Sequence, residues 1–267
     1  MARVRAPAVA GTFYPAAPAA LKAGVGSFLA GAPAAQGVTP KAIIAPHAGY
    51  VYSGPIAASA YAAVAPLRQT VQRAVLLGPA HYVAVAGLAL PGVDNYATPL
   101  GAVPVDQEAV ARIAHLPQVI ESPAAHAREH SLEVQLPFLQ AVLRDFLVVP
   151  LVVGDASAAQ IAEVLELLWG GDETIIVVSS DLSHYLNYAE ARAVDEATSQ
   201  LIQTRGGYLN HHQACGATPI NGLLELARRR DLNVRLLDLR NSGDTAGSRD
   251  RVVGYGAFGF YAGSIAA

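Results

Sequence analysis

The sequence predicts an α/β fold of three layers, in which helices cover both faces of a mixed, mainly parallel central sheet. Short β-branched runs alternate along the chain with alanine- and leucine-rich helical segments, which is typical of α/β folds. The runs are continuously apolar, as expected of strands that are covered on both faces. Neither an internal repeat nor a long linker divides the 267 residues, so we expect a single domain over residues 1–267.

Strands are predicted where the apolar runs lie, at residues 42–45, 74–77, 87–90, 146–153, 174–179, 234–239 and 252–261. The turn-forming residues Asn241 to Asp244 join the last two runs. This connection predicts an antiparallel pair, and therefore a mixed sheet.

Helices are predicted where a capping residue or a proline opens a helical pattern. Residues 55–64 begin at a proline, residues 106–115 at an aspartate and residues 157–169 at a serine. Residues 131–143 contain Pro137, which removes a backbone hydrogen bond. We therefore expect two short helical pieces or one bent helix in that segment.

Composition excludes several classes of protein. Apolar residues make up 52% of the chain and charged residues 15%, so a large core can form and intrinsic disorder is excluded. The net charge of -3 argues against a nucleic-acid partner, and the three arginines at 228–230 fit the solvated last turn of a helix. No run reaches the roughly 18 apolar residues that a membrane helix needs, and the N-terminal apolar run is too short for a secretory signal. We expect a cytoplasmic protein with no membrane partner.

A histidine follows each of three predicted strands, namely His47, His81 and His184. Because ligands bind beyond the carboxyl ends of strands in an open α/β sheet, the three imidazoles are predicted to face one crevice. Glycines and prolines around the first two predict tight turns that fix these side chains. Imidazole is a common metal ligand that also titrates near neutrality, so the crevice is predicted to hold a metal site, a general base, or both.

Two further segments carry candidate catalytic residues. On one interpretation, Asp181 or Ser180 simply caps a following helix. On the other, His184 reaches the substrate while Asp181 ligates a metal or orients a neighbouring imidazole. His130 and Glu133 lie at i and i+3 on one face of a predicted helix. The favourable position of Glu129 and Glu133 at the positive end of a helix dipole explains both glutamates without a function, but it does not explain His130. We retain His130 and Glu133 as candidate catalytic residues.

Cys215 is the only cysteine, which excludes an intrachain disulfide and fits a reducing compartment. It precedes a helix predicted from about Thr218, where the helix dipole favours a thiolate suited to metal ligation or redox chemistry. An inert core thiol is the alternative. Four histidines remain: His211 and His212 are assigned to a solvated loop, and His115 and His126 to the surface.

Six ordered motifs resemble those of one known family. They are Val4–Pro15 (VRAPAVAGTFYP), Ala45–Gly54 (APHAGYVYSG), Gly78–His81 (GPAH), Glu129–Pro137 (EHSLEVQLP), Ser179–Tyr185 (SSDLSHY) and Cys215–Gly216. The segment Val252–Tyr255 extends the match towards the C-terminus. The chain thus resembles the MEMO family, which in bacteria and archaea is also called the AmmeMemoRadiSam system protein B family.

The resemblance implies an α/β/α domain related to class III extradiol ring-cleaving dioxygenases, where two histidines and a carboxylate hold Fe(II) and another histidine acts as acid and base. It also implies that His47, His81 and Cys215 hold iron or copper here, with Asp181 and His184 beside them. A thiolate prefers softer or more reducing metals than a carboxylate does, which argues against ring cleavage. The family names imply a functional link to radical SAM and AMMECR-type proteins.

Three hypotheses follow for the function. The first is a non-haem, mononuclear Fe(II) site, with copper or zinc as alternative metals, that supports redox chemistry on a small organic substrate. In it His47, His81 and Cys215 bind the metal, His184 is the general acid and base, and Asp181 orients a neighbour or supplies a fourth ligand. The second is a non-enzymatic iron or copper carrier, or an interaction module that binds a peptide in a vestigial pocket. The third is a zinc-dependent hydrolase, because three protein ligands and an open position describe catalytic zinc.

Overall fold

A nine-stranded mixed sheet forms the centre of the computed structural model, which describes residues 2–34 and 37–263. The strands of this part of the chain are β1 (Val4–Arg5), β2 (Ala42–Ala45), β3 (Arg73–Pro79), β4 (Leu88–Leu90), β5 (Asn95–Thr98), β6 (Gly101–Pro104), β7 (Val119–Glu121), β8 (Leu147–Val153), β9 (Thr174–Ser179), β10 (His184–Leu186), β11 (Asn233–Asn241) and β12 (Val252–Tyr261). The helices are α1 (Pro18–Gly31), α2 (Tyr50–Val64), α3 (Gln107–Ile113), α4 (Pro123–Ala127), α5 (Leu136–Val142), α6 (Ala158–Leu167), α7 (Tyr188–Thr204) and α8 (Ala217–Arg229).

The strand order of the large sheet places three carboxyl ends side by side. The order is β10, β12, β2, β9, β3, β8, β4 and β7, with β11 paired to β12, while β1, β5 and β6 form a small separate sheet. The central strands β2, β9, β3 and β8 are parallel, whereas β12 and β4 run antiparallel to β2 and β8. The predicted mixed sheet is confirmed, and the ends of β2, β9 and β3 lie at one edge.

Helices cover both faces of the sheet, as predicted. Successive residues of a strand point to opposite faces, so neighbours in sequence enter different cores. Ile43 and Leu76 belong to one apolar cluster, which includes residues of α1, α2 and α5. Ile44 and Leu77 belong to the other, which includes residues of α3, α6 and α8. The continuously apolar strands of the sequence are thus explained by two buried faces.

Local sequence signals are confirmed at most elements. Every predicted strand is present, and β2, β9 and β12 have the predicted bounds. Asp106 caps α3 by accepting a hydrogen bond from Ala109 N–H (2.9 Å), and Ser157 caps α6 in a capping box. The segment around Pro137 forms two short pieces, a 3₁₀ turn at Glu133–Gln135 followed by α5.

The predicted start of the second helix is wrong, because α2 begins at Tyr50 and carries Pro55 inside it. The proline removes one backbone hydrogen bond, to the carbonyl of Val51. Val51 is 61% exposed, so water can satisfy that carbonyl. The sequence pattern did not predict α1, α7 or the small sheet. Within the described residues, no helix combines the length and the apolar character that spanning a bilayer requires.

Candidate metal centre

A pocket of about 900 Å³ opens where β2, β9 and β3 end. Six of the eight histidines of the chain line it, namely His47, His81, His130, His184, His211 and His212. The three strand-end imidazoles therefore converge as their positions predicted. His211 and His212 are exposed, as expected of a solvated loop, but they also border the pocket.

A single hydroxyl group fixes the tautomer of His47, which is buried. The Ser179 hydroxyl donates to the carbonyl of Ser131 (2.6 Å) and accepts from the side-chain amide of Gln135 (2.8 Å). Because its only hydrogen is committed, it must accept from Nδ1–H of His47 (2.9 Å). Burial and the neighbouring His81 lower the pKa of His47 to about 3. The imidazole is neutral, and the lone pair lies on its Nε2, which faces the Cys215 thiol.

A carboxylate fixes His81 in the same way. Glu129 accepts hydrogen bonds from Nδ1–H (2.8 Å) and the backbone N–H (2.7 Å) of His81, and from the backbone N–H of Ser131 (2.9 Å). Burial alone would raise the pKa of Glu129, but the hydrogen bonds from His81 and Ser131 outweigh it and lower the pKa to about 2. A carboxylate that orients an imidazole is typical of metal-binding histidines. Nε2 of His81 is the free atom.

His130 completes a cluster of three imidazoles. Its ring stacks on His81, with centroids 4.6 Å apart, and lies edge-on to His47 at 5.5 Å. Within the described part of the chain its Nδ1 is buried and has no hydrogen-bond partner. Burial, followed by His47 and His81, lowers the pKa of His130 to about 4. One ligand atom from each of the three rings lies within 4.8 Å of the other two, and this spacing with an orphaned nitrogen fits a bound transition metal.

Gly78 allows the two segments that carry these rings to approach each other. A Cβ atom on Gly78 would lie only 2.5 Å from Oγ of Ser131. The Ser131 hydroxyl donates to the carbonyl of Pro79 (3.1 Å), which fastens the end of β3 to the segment after Glu129. Any side chain at position 78 would therefore collide with Ser131, the residue that follows His130.

Cys215 lies beside His47 but outside the mutual 4.8 Å cluster. Its Sγ is 3.3 Å from Nε2 of His47 and 3.6 Å from the carbonyl of Asp181. Burial, followed by the charge of Asp181, raises the pKa of the thiol to about 12. The prediction that the helix dipole favours a thiolate is therefore wrong for the metal-free chain, because desolvation dominates. The sulfur nevertheless lies next to the imidazole of His47 at the edge of the histidine cluster.

Asp181 and His184 border the same pocket. Asp181 is 4% exposed, and its carboxylate accepts the backbone N–H of His47 (2.7 Å), so it positions the residue that carries the imidazole. Burial raises the pKa of Asp181. Nδ1–H of His184 donates to the carbonyl of Leu182 (2.8 Å), because a carbonyl can only accept. This bond leaves Nε2 of His184 available for proton transfer.

Comparison with known proteins supports the likeness seen in the motifs. A family model described as Memo-like protein matches residues 5–258. A MEMO1 family protein of Aquifex aeolicus is 36% identical over 265 residues, which cover 95% of this chain and 97% of the relative. Those of Archaeoglobus fulgidus and Sulfolobus acidocaldarius are 35% and 34% identical, over 96% and 94% of this chain and 99% and 97% of theirs. The chain belongs to the MEMO1 family.

Glu133, a candidate catalytic residue, lies outside the pocket of this MEMO1 family chain. It is fully buried and forms an ion pair with Arg5. Its carboxylate also accepts from the Tyr14 hydroxyl and from the backbone N–H groups of Ala8 (2.8 Å) and Val9 (3.1 Å). These partners occupy both oxygens, which indicates that Glu133 anchors the N-terminal segment and does not face a substrate.

His126 is a second correction, because it is buried and not on the surface. Its Nε2 pairs with the carbonyl of Ala89 (2.7 Å), and its Nδ1 with the Tyr96 hydroxyl. Arg5 donates to the His126 carbonyl (3.1 Å). The ring is thus a hydrogen-bonded core residue. His115 is exposed, as predicted.

Several residues that support or border the pocket were not predicted from the sequence. Ser179 and Gln135 orient His47, Glu129 orients His81, and Arg251 borders the pocket. Glu129 stands next to His130 and Ser179 ends a predicted strand, so both could have been flagged by position. No local signal in the sequence marks Gln135 or Arg251.

Proposed function

We propose that the pocket is a mononuclear transition-metal site that carries iron(II) and supports redox chemistry on a small organic substrate. The observation that carries this proposal is the cluster of His47, His81 and His130, whose ligand atoms lie within 4.8 Å of one another. Two of the rings are neutral by the direction of their pKa shifts. Neutral imidazole is the form that coordinates a metal.

The donor set favours a transition metal over magnesium or calcium. Magnesium and calcium prefer oxygen ligands, whereas imidazole and thiol suit iron, copper and zinc. His47 and His81 are the fixed ligands in this proposal, because each is oriented through its other ring nitrogen. His130 and Cys215 compete for the third position. Loss of the thiol proton on binding would let Cys215 offset part of the charge of the metal.

The chain supplies the acid–base groups for such chemistry. When bound, iron(II) would supply Lewis acidity and redox activity. His184 holds or releases a proton at Nε2, since its Nδ1–H is fixed by Leu182. Asp181 holds the backbone of His47 in place. A ligand thiol needs reducing conditions, so we place the protein in the cytoplasm.

Metal analysis tests the site. Wild type, His81→Ala and the matched surface control His115→Ala are purified without oxygen, incubated with Fe(II), desalted and analysed by mass spectrometry. We expect stoichiometric iron in wild type and His115→Ala and a near-complete loss in His81→Ala. Equal, substoichiometric iron in all three proteins would contradict a metal site in the pocket.

A spectroscopic comparison assigns the third ligand. Substitution with Co(II) reports a bound thiolate through a sulfur-to-metal charge-transfer band. Loss of that band in Cys215→Ser identifies the thiolate as a ligand. Absence of the band in wild type, with loss of the metal in His130→Ala, assigns three imidazoles instead.

The three clustered imidazoles also favour a second candidate, a zinc-dependent hydrolase. Three histidines with an open fourth position are a known arrangement of catalytic zinc. The two candidates differ in the metal that restores activity. Oxygen uptake with organic reductants by the Fe(II) protein supports redox chemistry, whereas ester hydrolysis by the Zn(II) protein alone supports the hydrolase.

A further inference from the structure

The loop between β11 and β12 contributes a second wall of the pocket. Ser242, Gly247, Ser248 and Arg251 from this loop line it together with the histidines. Arg251 is the only lysine or arginine among the lining residues that the structure describes. Because a guanidinium stays charged at any physiological pH, this side chain gives the pocket a permanent positive charge.

Arg251 has no acidic partner in the part of the chain that the structure describes. Across residues 2–34 and 37–263, no carboxylate lies within ion-pair distance of its guanidinium. Asp250, its neighbour in sequence, is turned towards Ser248, whose hydroxyl donates to the Asp250 carboxylate (2.7 Å) and accepts from its backbone N–H (3.2 Å). The carboxylate next to Arg251 in sequence is therefore bonded to Ser248 and does not pair with the guanidinium.

An aromatic ring supports the guanidinium instead. The Arg251 guanidinium carbon lies 5.1 Å from the ring centroid of Tyr185, which follows His184. Stacking on an aromatic face leaves the in-plane N–H groups of a guanidinium free for a bidentate partner. Tyr185 has φ 62°, in the left-handed region that a non-glycine residue rarely adopts. Such strained residues cluster at functional sites.

The rest of the pocket offers little negative charge to a ligand. Asp181 is the only carboxylate in the described lining, and it is almost fully buried against the backbone of His47. The rings of Phe13, Tyr52 and Tyr255 add apolar surface. A cavity of about 900 Å³ is large enough for a small organic molecule.

We propose that Arg251 binds an anionic oxygen group of the substrate, a carboxylate or a phosphate, and thereby selects small organic anions for this pocket. The proposal deepens the proposed function, since it names a substrate class for the same site. The contacts of Arg251 do not involve His47, His81, His130 or Cys215. Binding to Arg251 can therefore be measured on metal-free protein, and either proposal can fail without the other.

Calorimetric titration of chelator-treated protein tests the proposal with three probes: benzoate, its neutral analogue benzamide, and inorganic phosphate. The variants are Arg251→Gln, Arg251→Lys and the control Arg249→Gln, whose guanidinium stacks on Tyr188 and does not line the pocket. We expect an anion to bind wild type and Arg249→Gln alike, with affinity falling about tenfold or more in Arg251→Gln, as for the loss of a charged hydrogen bond. Arg251→Lys should retain more affinity than Arg251→Gln, since it keeps the charge.

The probe whose affinity falls in Arg251→Gln identifies the group that Arg251 binds. A loss for benzoate indicates a carboxylate, and a loss for inorganic phosphate indicates a phosphate. Equal affinities for benzoate and benzamide, with phosphate binding unaffected by Arg251→Gln, would overturn the proposal. So would the failure of both anions to bind wild type at concentrations up to about 10 mM, above the weak end of specific affinities.

Discussion

The hydroxyl of Ser179 sets which nitrogen of His47 is free to bind a metal. Its hydrogen goes to the carbonyl of Ser131, so it can only accept from Nδ1–H of His47. Removing it in Ser179→Ala leaves the imidazole free to change tautomer and to rotate. We expect the affinity for Fe(II) or Co(II) to fall by roughly ten- to a hundredfold, as for other residues that orient metal-binding histidines.

Competitive titration with a coloured chelator measures this affinity. Ser199→Ala is the control, because it deletes a buried hydroxyl on α7, away from the lining of the pocket. Nitrogen chemical shifts of the His47 ring report its tautomer directly. Unchanged metal affinity together with an unchanged Nδ1–H tautomer in Ser179→Ala would contradict the role assigned to this hydroxyl.

Asp195 on α7 is a buried carboxyl outside the pocket, and it makes the stability of the fold depend on pH. Burial raises its pKa from 3.8 to about 6, even though Ser183 N–H donates to it (3.0 Å). Because the folded pKa is the higher one, ionisation costs free energy as the pH rises from about 4 to about 6, and the full cost persists above that range. Arg192, Glu196 and Arg240 line the cavity beside Asp195, and His184 lowers its pKa slightly.

We therefore expect Asp195→Asn to raise the free energy of unfolding at pH 7.5 by roughly 1–3 kcal/mol relative to its effect at pH 4. The amide oxygen can still accept from Ser183 N–H, while no charge has to be buried. Urea unfolding at the two pH values measures the difference. Glu196→Gln, an exposed neighbour, should show no such pH dependence. An equal effect of Asp195→Asn at both pH values would contradict this account.

At the scale of elements, Glu133 ties the N-terminal segment to the segment that carries Glu129 and His130. Arg5 in β1 pairs with Glu133 and also donates to the carbonyls of Glu129 (2.6 Å) and His126 (3.1 Å). Both charges are buried, so losing one leaves the other uncompensated. We expect Glu133→Gln to lower the free energy of unfolding by about 3–5 kcal/mol.

Chemical unfolding of Glu133→Gln beside the exposed control Glu121→Gln measures this loss. The free energy of metal binding should change less than the free energy of unfolding, because Glu129 still holds His81 in the folded protein. Wild-type stability of Glu133→Gln together with a loss of turnover would contradict the anchoring role and assign Glu133 to catalysis.

Predictability differs among the elements for physical reasons. The central strands could be predicted because two buried faces require continuous apolar runs. Helix α7 could not, because its buried side is made of small or polar residues such as Ala191, Asp195, Thr198 and Ser199. The start of α2 was misplaced because Pro55 is tolerated inside the helix beside an exposed residue.

The residues of the pocket also divide into those that local sequence patterns predict and those that they do not. His47, His81 and His184 were found from strand ends, since parallel strands bring their carboxyl ends to one edge. The environment of Cys215 was not predictable, because burial raises the pKa of its thiol against the expected effect of the helix dipole. Ser179 and Arg251 depend on contacts between distant segments, which local patterns do not encode.

For the whole molecule, the proposed metal would join segments that are far apart in the sequence. His47 follows β2, His81 follows β3, His130 lies in the segment before α5, and Cys215 precedes α8. The unfolded chain lacks this arrangement, so a bound metal stabilises the folded state by mass action. A free metal concentration a hundred times the Kd adds about 2.7 kcal/mol, and for a chain of this size we expect the Tm to rise by roughly 5 °C.

Thermal unfolding followed by circular dichroism, without oxygen and with or without Fe(II), measures this shift. The shift should be absent in His81→Ala and preserved in His115→Ala, which removes an exposed imidazole outside the pocket. Ser179→Ala should shift less than wild type at the same metal concentration, because its affinity is expected to be lower. A shift of the same size in His81→Ala would mean that the metal binds and stabilises the chain elsewhere.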